Sequence, residues 1–143
     1  MPKSRFKIIP AVHLVLRSGD KFLMLRRYQT GYMDGFYSVV AGHVDGNEFF
    51  RAAMAREAYE EAGITIEIDS LRLVHTLHFL GEEERLHLFF EADNWSGEVN
   101  NMEPQKCDDL AWYTLEENID KMVPYVAVAL EKISNGIHYC EFE

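Results

Sequence analysis

The sequence is short of positive charge: 14 Lys and Arg stand against 24 Asp and Glu, a formal net charge of −10. Phosphate backbones are gripped by clustered cations, so this balance excludes a general nucleic-acid-binding surface and predicts no nucleic-acid partner. A small polyanionic ligand stays compatible if metal ions and a few local cations offset the field. Cysteine is scarce too. Cys107 and Cys140 allow at most one bridge and, with no sign of export, read as free thiols in a reducing cytoplasm. No apolar run reaches the 18 or so residues a membrane-spanning helix needs, so no membrane partner is expected. The opening stretch MPKSRFKIIPAVHLVL turns from basic to apolar as a secretory leader does, but Pro10 and His13 interrupt it and no small-residue cleavage site follows. A buried strand and a cytoplasmic location fit better. Internal repeats, low-complexity stretches and linkers are all missing. The 143 residues, 48% of them apolar, suit one domain over 1–143.

What is present concentrates in residues 42 to 64, GHVDGNEFFRAAMAREAYEEAGI. On a helix of 3.6 residues per turn, Glu57, Glu60 and Glu61 fall three and four positions apart, on an arc of roughly 100°. Three like charges so placed repel one another and weaken a bare helix. A hard divalent cation with oxygen ligands removes that penalty, and Mg²⁺ in particular keeps positions open for waters and substrate phosphates. A solvated acidic helix face would explain the charges. It would not explain the flanking glycines or the spacing from Glu48 to Arg56.

The pattern Gly42, five residues, Glu48, seven residues, Arg56-Glu57, then Glu60-Glu61, Gly63, with apolar Ala58 and Ile64, resembles the signature of the Nudix hydrolases. That resemblance implies an α/β/α sandwich with a mixed β-sheet, flanked by the signature helix and a C-terminal helix. It implies a hydrolase cleaving the pyrophosphate bond of a nucleoside diphosphate linked to another group: a (deoxy)nucleoside triphosphate, an oxidised nucleotide, ADP-ribose or a nucleotide sugar. It also implies Mg²⁺, with Mn²⁺ as a substitute. Glu57, Glu60 and Glu61 are the implied ligands, and either Glu57 or Glu60 takes the proton from the attacking water. Glu48 and Arg56 are implied as a pair that fixes the loop before the helix. Gly42 serves through its backbone, by a sharp turn, close approach or a metal-ligating carbonyl. The common Pro-Gly-Gly of the family is replaced by Ala41-Gly42-His43, which leaves catalysis intact and bears on substrate identity. Homodimers occur among relatives, so a homodimer is a further expectation.

Other candidates lie outside the signature. Glu103, with Glu98 as alternative, occupies the loop 94–108 where relatives present an extra glutamate to the metals. Arg27 ends a strand and can face the diphosphate, which turns Arg26 to the other side. His43, directly after Gly42, is the one histidine expected to touch the site. His75 and His78 point to opposite faces of a strand and cannot chelate together. Tyr28, Phe36, Tyr37 and Tyr113 offer faces for stacking on a base, with core packing as the alternative.

The expected order of elements is a strand over 7–16, a turn at Ser18-Gly19-Asp20 and a hairpin partner over 21–27. A short strand over 36–40 follows, then the glutamate helix from Asn47 or Glu48, capped by Asp45, Gly46 and Asn47 and stopped at Gly63. Strands over 64–68, 71–80, 85–92 and 110–114 come next, and a helix over 122–134 begins with Pro124 in its first turn. Two other functions are compatible with the fold. One is a non-catalytic nucleotide or ADP-ribose sensor, disfavoured because every signature glutamate is kept. The other is an isopentenyl-diphosphate-type isomerase with a catalytic cysteine, disfavoured because Cys107 falls in a late loop.

Overall fold

The computed structural model describes residues 4–143; Met1 to Lys3, which open the expected 1–143 domain, lie outside the described residues. Two apolar faces organise the fold. Strand β1 (Ile9–Val15) alternates so that Val12 and Leu14 face one side, while His13 and Val15 face the other. β1 pairs in parallel with β7 (Arg85–Glu91) and antiparallel with the short β5 (Ala41–His43). β7 pairs with β6 (Arg72–Phe79), and β6 carries β9 (Tyr139–Phe142) in parallel at the edge. The result is a five-stranded mixed sheet in the order β5-β1-β7-β6-β9.

A second sheet is centred on β3 (Lys21–Arg27), which pairs with β2 (Arg17–Ser18), β4 (Tyr37–Ser38) and β8 (Cys107–Thr114). Helix α1 (Phe50–Ala62) buries Ala53, Met54, Ala58 and Ala62 against Val12, Leu14, Leu23, Leu25 and Leu88. On the opposite side α3 (Pro124–Ser134) buries Val126, Ala129, Leu130 and Ile133 against Val15, Met24, Leu77 and Phe89. β3 serves both cores by alternation: Leu23 and Leu25 join one, Phe22 and Met24 the other. The expected α/β/α sandwich with a mixed sheet is observed.

Several expected boundaries are corrected. Lys21–Arg27 is not the hairpin partner of β1. Of the chain before it only Arg17-Ser18 pairs with it, and β1, which ends at Val15, lies in the other sheet. The glutamate helix begins at Phe50, with Phe49 at the N-cap and no side-chain cap. Asn47 takes the left-handed region (φ 67°), and Glu48 is engaged by Arg56 and by the Asp45 N–H, so the stretch 45–48 is held as a loop. Gly63 stops the helix as expected at φ 71°, its N–H donating to Tyr59 O.

Residues 64–68 bury Ile64 and Ile66 but form only one bridge, Thr65 to Ser96, before a 3₁₀ turn at Ile68–Ser70. Alternation there reports burial, not pairing. The C-terminal helix starts at Pro124 instead of 122. Ahead of it lies a short helix α2 (Leu115–Asn118), begun by a Thr114–Glu117 capping box, in a segment for which no element is expected. β8 begins at Cys107, so this cysteine sits in a strand, and β9 was not anticipated. Cys107 and Cys140 are both free.

Candidate active site

The last two turns of α1 bring Glu57, Glu60 and Glu61 to the mouth of a cleft of about 730 Å³, together with Gly42, His43, Arg27 and Glu103. Arg56 is the hub of this acidic end. Its Nη2 donates to Glu48 Oε1 at 2.8 Å and its Nε to Glu48 Oε2 at 3.3 Å. Its Nη1 donates to Glu57 Oε1 at 2.9 Å and lies 3.5 Å from Glu60 Oε2. Glu48 also accepts from the Asp45 N–H at 2.8 Å, so one guanidinium ties the loop 45–48 to the glutamate face of the helix. The Arg56 hydrogen bonds hold the Glu48 carboxyl below its usual range.

Glu61 is the odd member. Its Oε2 is sealed from solvent and has no hydrogen-bond partner. Burial, then the hydrogen bond and charge of Glu57, then the charge of Glu103, push its carboxyl well above the ordinary range. Gly42 lies in β5, opposite Val12, at negative φ; the expected sharp turn is therefore not its role. Close approach is. A Cβ on residue 42 would run into the Glu57 carboxyl group, so only glycine lets the strand lie against that side chain.

These features test whether a hard cation suits the site. An orphaned buried carboxylate oxygen, two carboxyls sharing one neighbourhood and an all-oxygen donor set are the chemistry such an ion neutralises. The ligand sphere is not pre-assembled: among the described residues no three His, Cys, Asp or Glu side chains already converge on one point. The donor types fit.

Arg27 lines the cleft, but its guanidinium donates to Tyr32 O at 2.6 Å and Thr30 Oγ1 at 3.1 Å, beneath the Tyr32 ring. Asp34 clasps the same loop by accepting from the N–H groups of Thr30 and Gly31 and from the Thr30 hydroxyl. Arg26 turns away to Asp108 at 2.7 Å. Glu103 lines the cleft, near Lys106 Nζ at 4.0 Å; Glu98 does not.

None of the four aromatics weighed between base stacking and core packing lines the cleft. Tyr37 and Tyr113 both donate to Asp109 Oδ2 and brace the second sheet. Tyr28 and Phe36 lie on the surface outside the cleft. Tyr32 and Tyr125 line it instead.

The expectation that His43 alone among the histidines touches the site is also corrected: His13 of β1 and His87 of β7 line the same cleft. The signal was in the sequence, as a histidine inside the apolar run of β1 and as Arg85 and His87 alternating with Leu86 and Leu88. His75 is buried elsewhere with Ile137 O and Cys140 Sγ, and His78 contacts Glu84.

The comparisons with known proteins agree with this geometry. NAD-capped RNA hydrolase NudC of Haemophilus influenzae (strain PittEE) is 27% identical over 139 residues, covering 95% of this chain and 50% of that protein. Its counterpart from Citrobacter koseri is 28% identical over 137 residues, covering 96% and 51%. The chain thus spans about half the length of the curated relatives it matches. Among solved structures, a MutT NUDIX hydrolase from Burkholderia pseudomallei superposes with a TM-score of 0.79 at 22% identity, over 88% of this chain and 98% of that one, a likeness of fold. The NUDIX domain model matches residues 7–133, well over half of the sequence, and the chain belongs to that family.

Proposed function

We propose that this chain is a Mg²⁺-dependent hydrolase, with Mn²⁺ as substitute, cleaving the pyrophosphate link of a nucleoside diphosphate derivative. Nudix hydrolases generally use divalent metal ions and act on nucleotide derivatives. The observation that carries the reading is the sealed, unpartnered Glu61 Oε2 beside Glu57, with Gly42 in close approach to the Glu57 carboxyl, in the cleft that Glu103 also lines. Glu57, Glu60 and Glu61, with Glu103 and the Gly42 carbonyl, would hold the metal. When bound, it would neutralise the diphosphate, lower the pKa of a water and stabilise charge on the leaving phosphate.

The chain's own residues supply the rest. Arg56 orients Glu57 and Glu60 and ties them to Glu48. Glu57 or Glu60 accepts the proton from the attacking water. Arg27 braces the Tyr32 loop at the cleft, where its charge would favour a diphosphate. Cys107 donates its S–H to Asp109 O and burial raises its pKa, which suits neither thiolate chemistry nor the isomerase alternative.

The names of the NudC relatives include an RNA cap, itself a pyrophosphate-linked nucleotide, so the reading commits to the bond and not to the outgoing group. The test is a panel of nucleoside triphosphates, ADP-ribose, nucleotide sugars and dinucleoside diphosphates, assayed with Mg²⁺ and with Mn²⁺. Release of a nucleoside monophosphate from at least one is expected. Absence of turnover across the panel, at several metal concentrations, removes the reading.

A further inference from the structure

The cleft has a second end, opposite in character to the glutamates. His13 Nε2 and Tyr125 Oη lie 2.9 Å apart, and the His87 ring stacks on Tyr125 with centroids at 4.1 Å and planes at 18°. Phe79 and His13 meet His87 edge-on, at 5.7 and 4.9 Å. His87 is 1% exposed, yet neither of its ring nitrogens has a hydrogen-bond partner. Buried polar groups are nearly always paired, and an orphan costs far more than an ordinary hydrogen bond returns. His87 lines the cleft, so the cleft is the direction from which a partner can come.

We infer that His13, His87 and Tyr125 form a specificity pocket for an uncharged, planar, hydrogen-bonding group of the substrate, an amide or amidine edge such as a nucleobase or carboxamide ring carries. A neutral imidazole presents one donor and one acceptor, and so does such an edge. Burial, then the charge of Arg85, hold His87 neutral with its pKa lowered to about 4, so its ring offers hydrogen bonds and not charge to a ligand. The aromatic rings of His13, His87 and Tyr125 that line it favour a flat group over a sugar. The pocket extends the hydrolase reading and rests on it for the word substrate, but binding at His87 is measurable whether or not turnover occurs.

The test is NMR of the His87 ring nitrogens in this chain, titrated separately with adenosine monophosphate, reduced nicotinamide mononucleotide (whose ring is uncharged), ribose 5-phosphate and inorganic pyrophosphate. A change at a His87 nitrogen with either nucleotide, and with neither control, is expected. Adenosine monophosphate acting alone assigns the pocket to a nucleobase, and reduced nicotinamide mononucleotide acting alone assigns it to a carboxamide. A change with ribose 5-phosphate or pyrophosphate overturns the inference, as does no change with any probe, which would leave only an enclosed water at His87. On any substrate found in the panel, His87→Phe keeps the ring stack and should raise KM about tenfold with a smaller change in kcat, as loss of one buried hydrogen bond implies. A fall in kcat at constant KM would contradict a binding role. If the panel gives no turnover, the hydrolase reading fails while the NMR titration still decides the pocket.

Discussion

The two ends of the cleft are built on opposite rules. At the glutamate end, like charges crowd within one helix and a single guanidinium, half-buried, meets carboxylates from both loop and helix. At the histidine end, rings from β1, β7 and α3 pack in a dry cluster with their charge suppressed. One end gathers carboxylates; the other offers neutral rings, with the cation of Arg85 close by. Substrates that join a diphosphate to a neutral ring match both ends, which neither end alone would select.

Four measurements would break or sharpen this contrast. The largest effect is expected from Glu57→Gln or Glu60→Gln, which should lower kcat by about two to four orders of magnitude while thermal stability holds. A fall of less than tenfold would move the chemistry away from α1.

Next is acid. His87 has a folded pKa of about 4 against 6.5 for a free histidine, so the unfolded chain takes up a proton in this window and the folded chain does not. Stability should therefore be full above pH 6.5 and fall by about 3 kcal/mol from this residue as pH drops toward 4. The groups felt by His87 include the cation of Arg85 and the nearby His43, both of which oppose its protonation. Denaturant titrations at pH 7 and pH 5 should show a smaller pH loss in His87→Phe than in the native chain; equal losses would refute the dry-pocket description.

Third, Gly42→Ala should displace Glu57 and weaken metal binding by about 10- to 100-fold. Because the displaced atoms end a flexible side chain, the melting temperature should move little. Calorimetry with Mn²⁺ checks the first part and a melting curve the second. The smallest effect separates two tyrosines: Tyr32→Ala should raise KM, whereas Tyr28→Ala, outside the cleft, should change it less than about twofold.

The same contrast explains what could be read in advance. Glu48, Arg56, Glu57, Glu60 and Glu61 lie within 14 consecutive positions, and helical geometry alone brings the last three together. His13 and Tyr125 are 112 residues apart, and their meeting depends on β1 joining β7 instead of folding back on β3. No local pattern announces that choice. The helix start was misplaced for a related reason. Asp45 to Glu48 carry capping residue types, but a partner eight positions on, Arg56, draws Glu48 into the loop. Strand β9 escaped notice because four residues with weak alternation carry little signal without the β6 edge that receives them.

The β5–β1 register has a consequence of its own. Ala11 sits opposite His43, Val12 opposite Gly42 and His13 opposite Ala41, so neighbouring rungs of one ladder carry the contact for the acids and the wall of the dry pocket. Rungs of a sheet are spaced by about 3.3 Å per residue and do not slide without turning every side chain over. On the proposed reading the molecule would act as a fixed gauge, sorting ligands by how far the neutral ring stands from its phosphates.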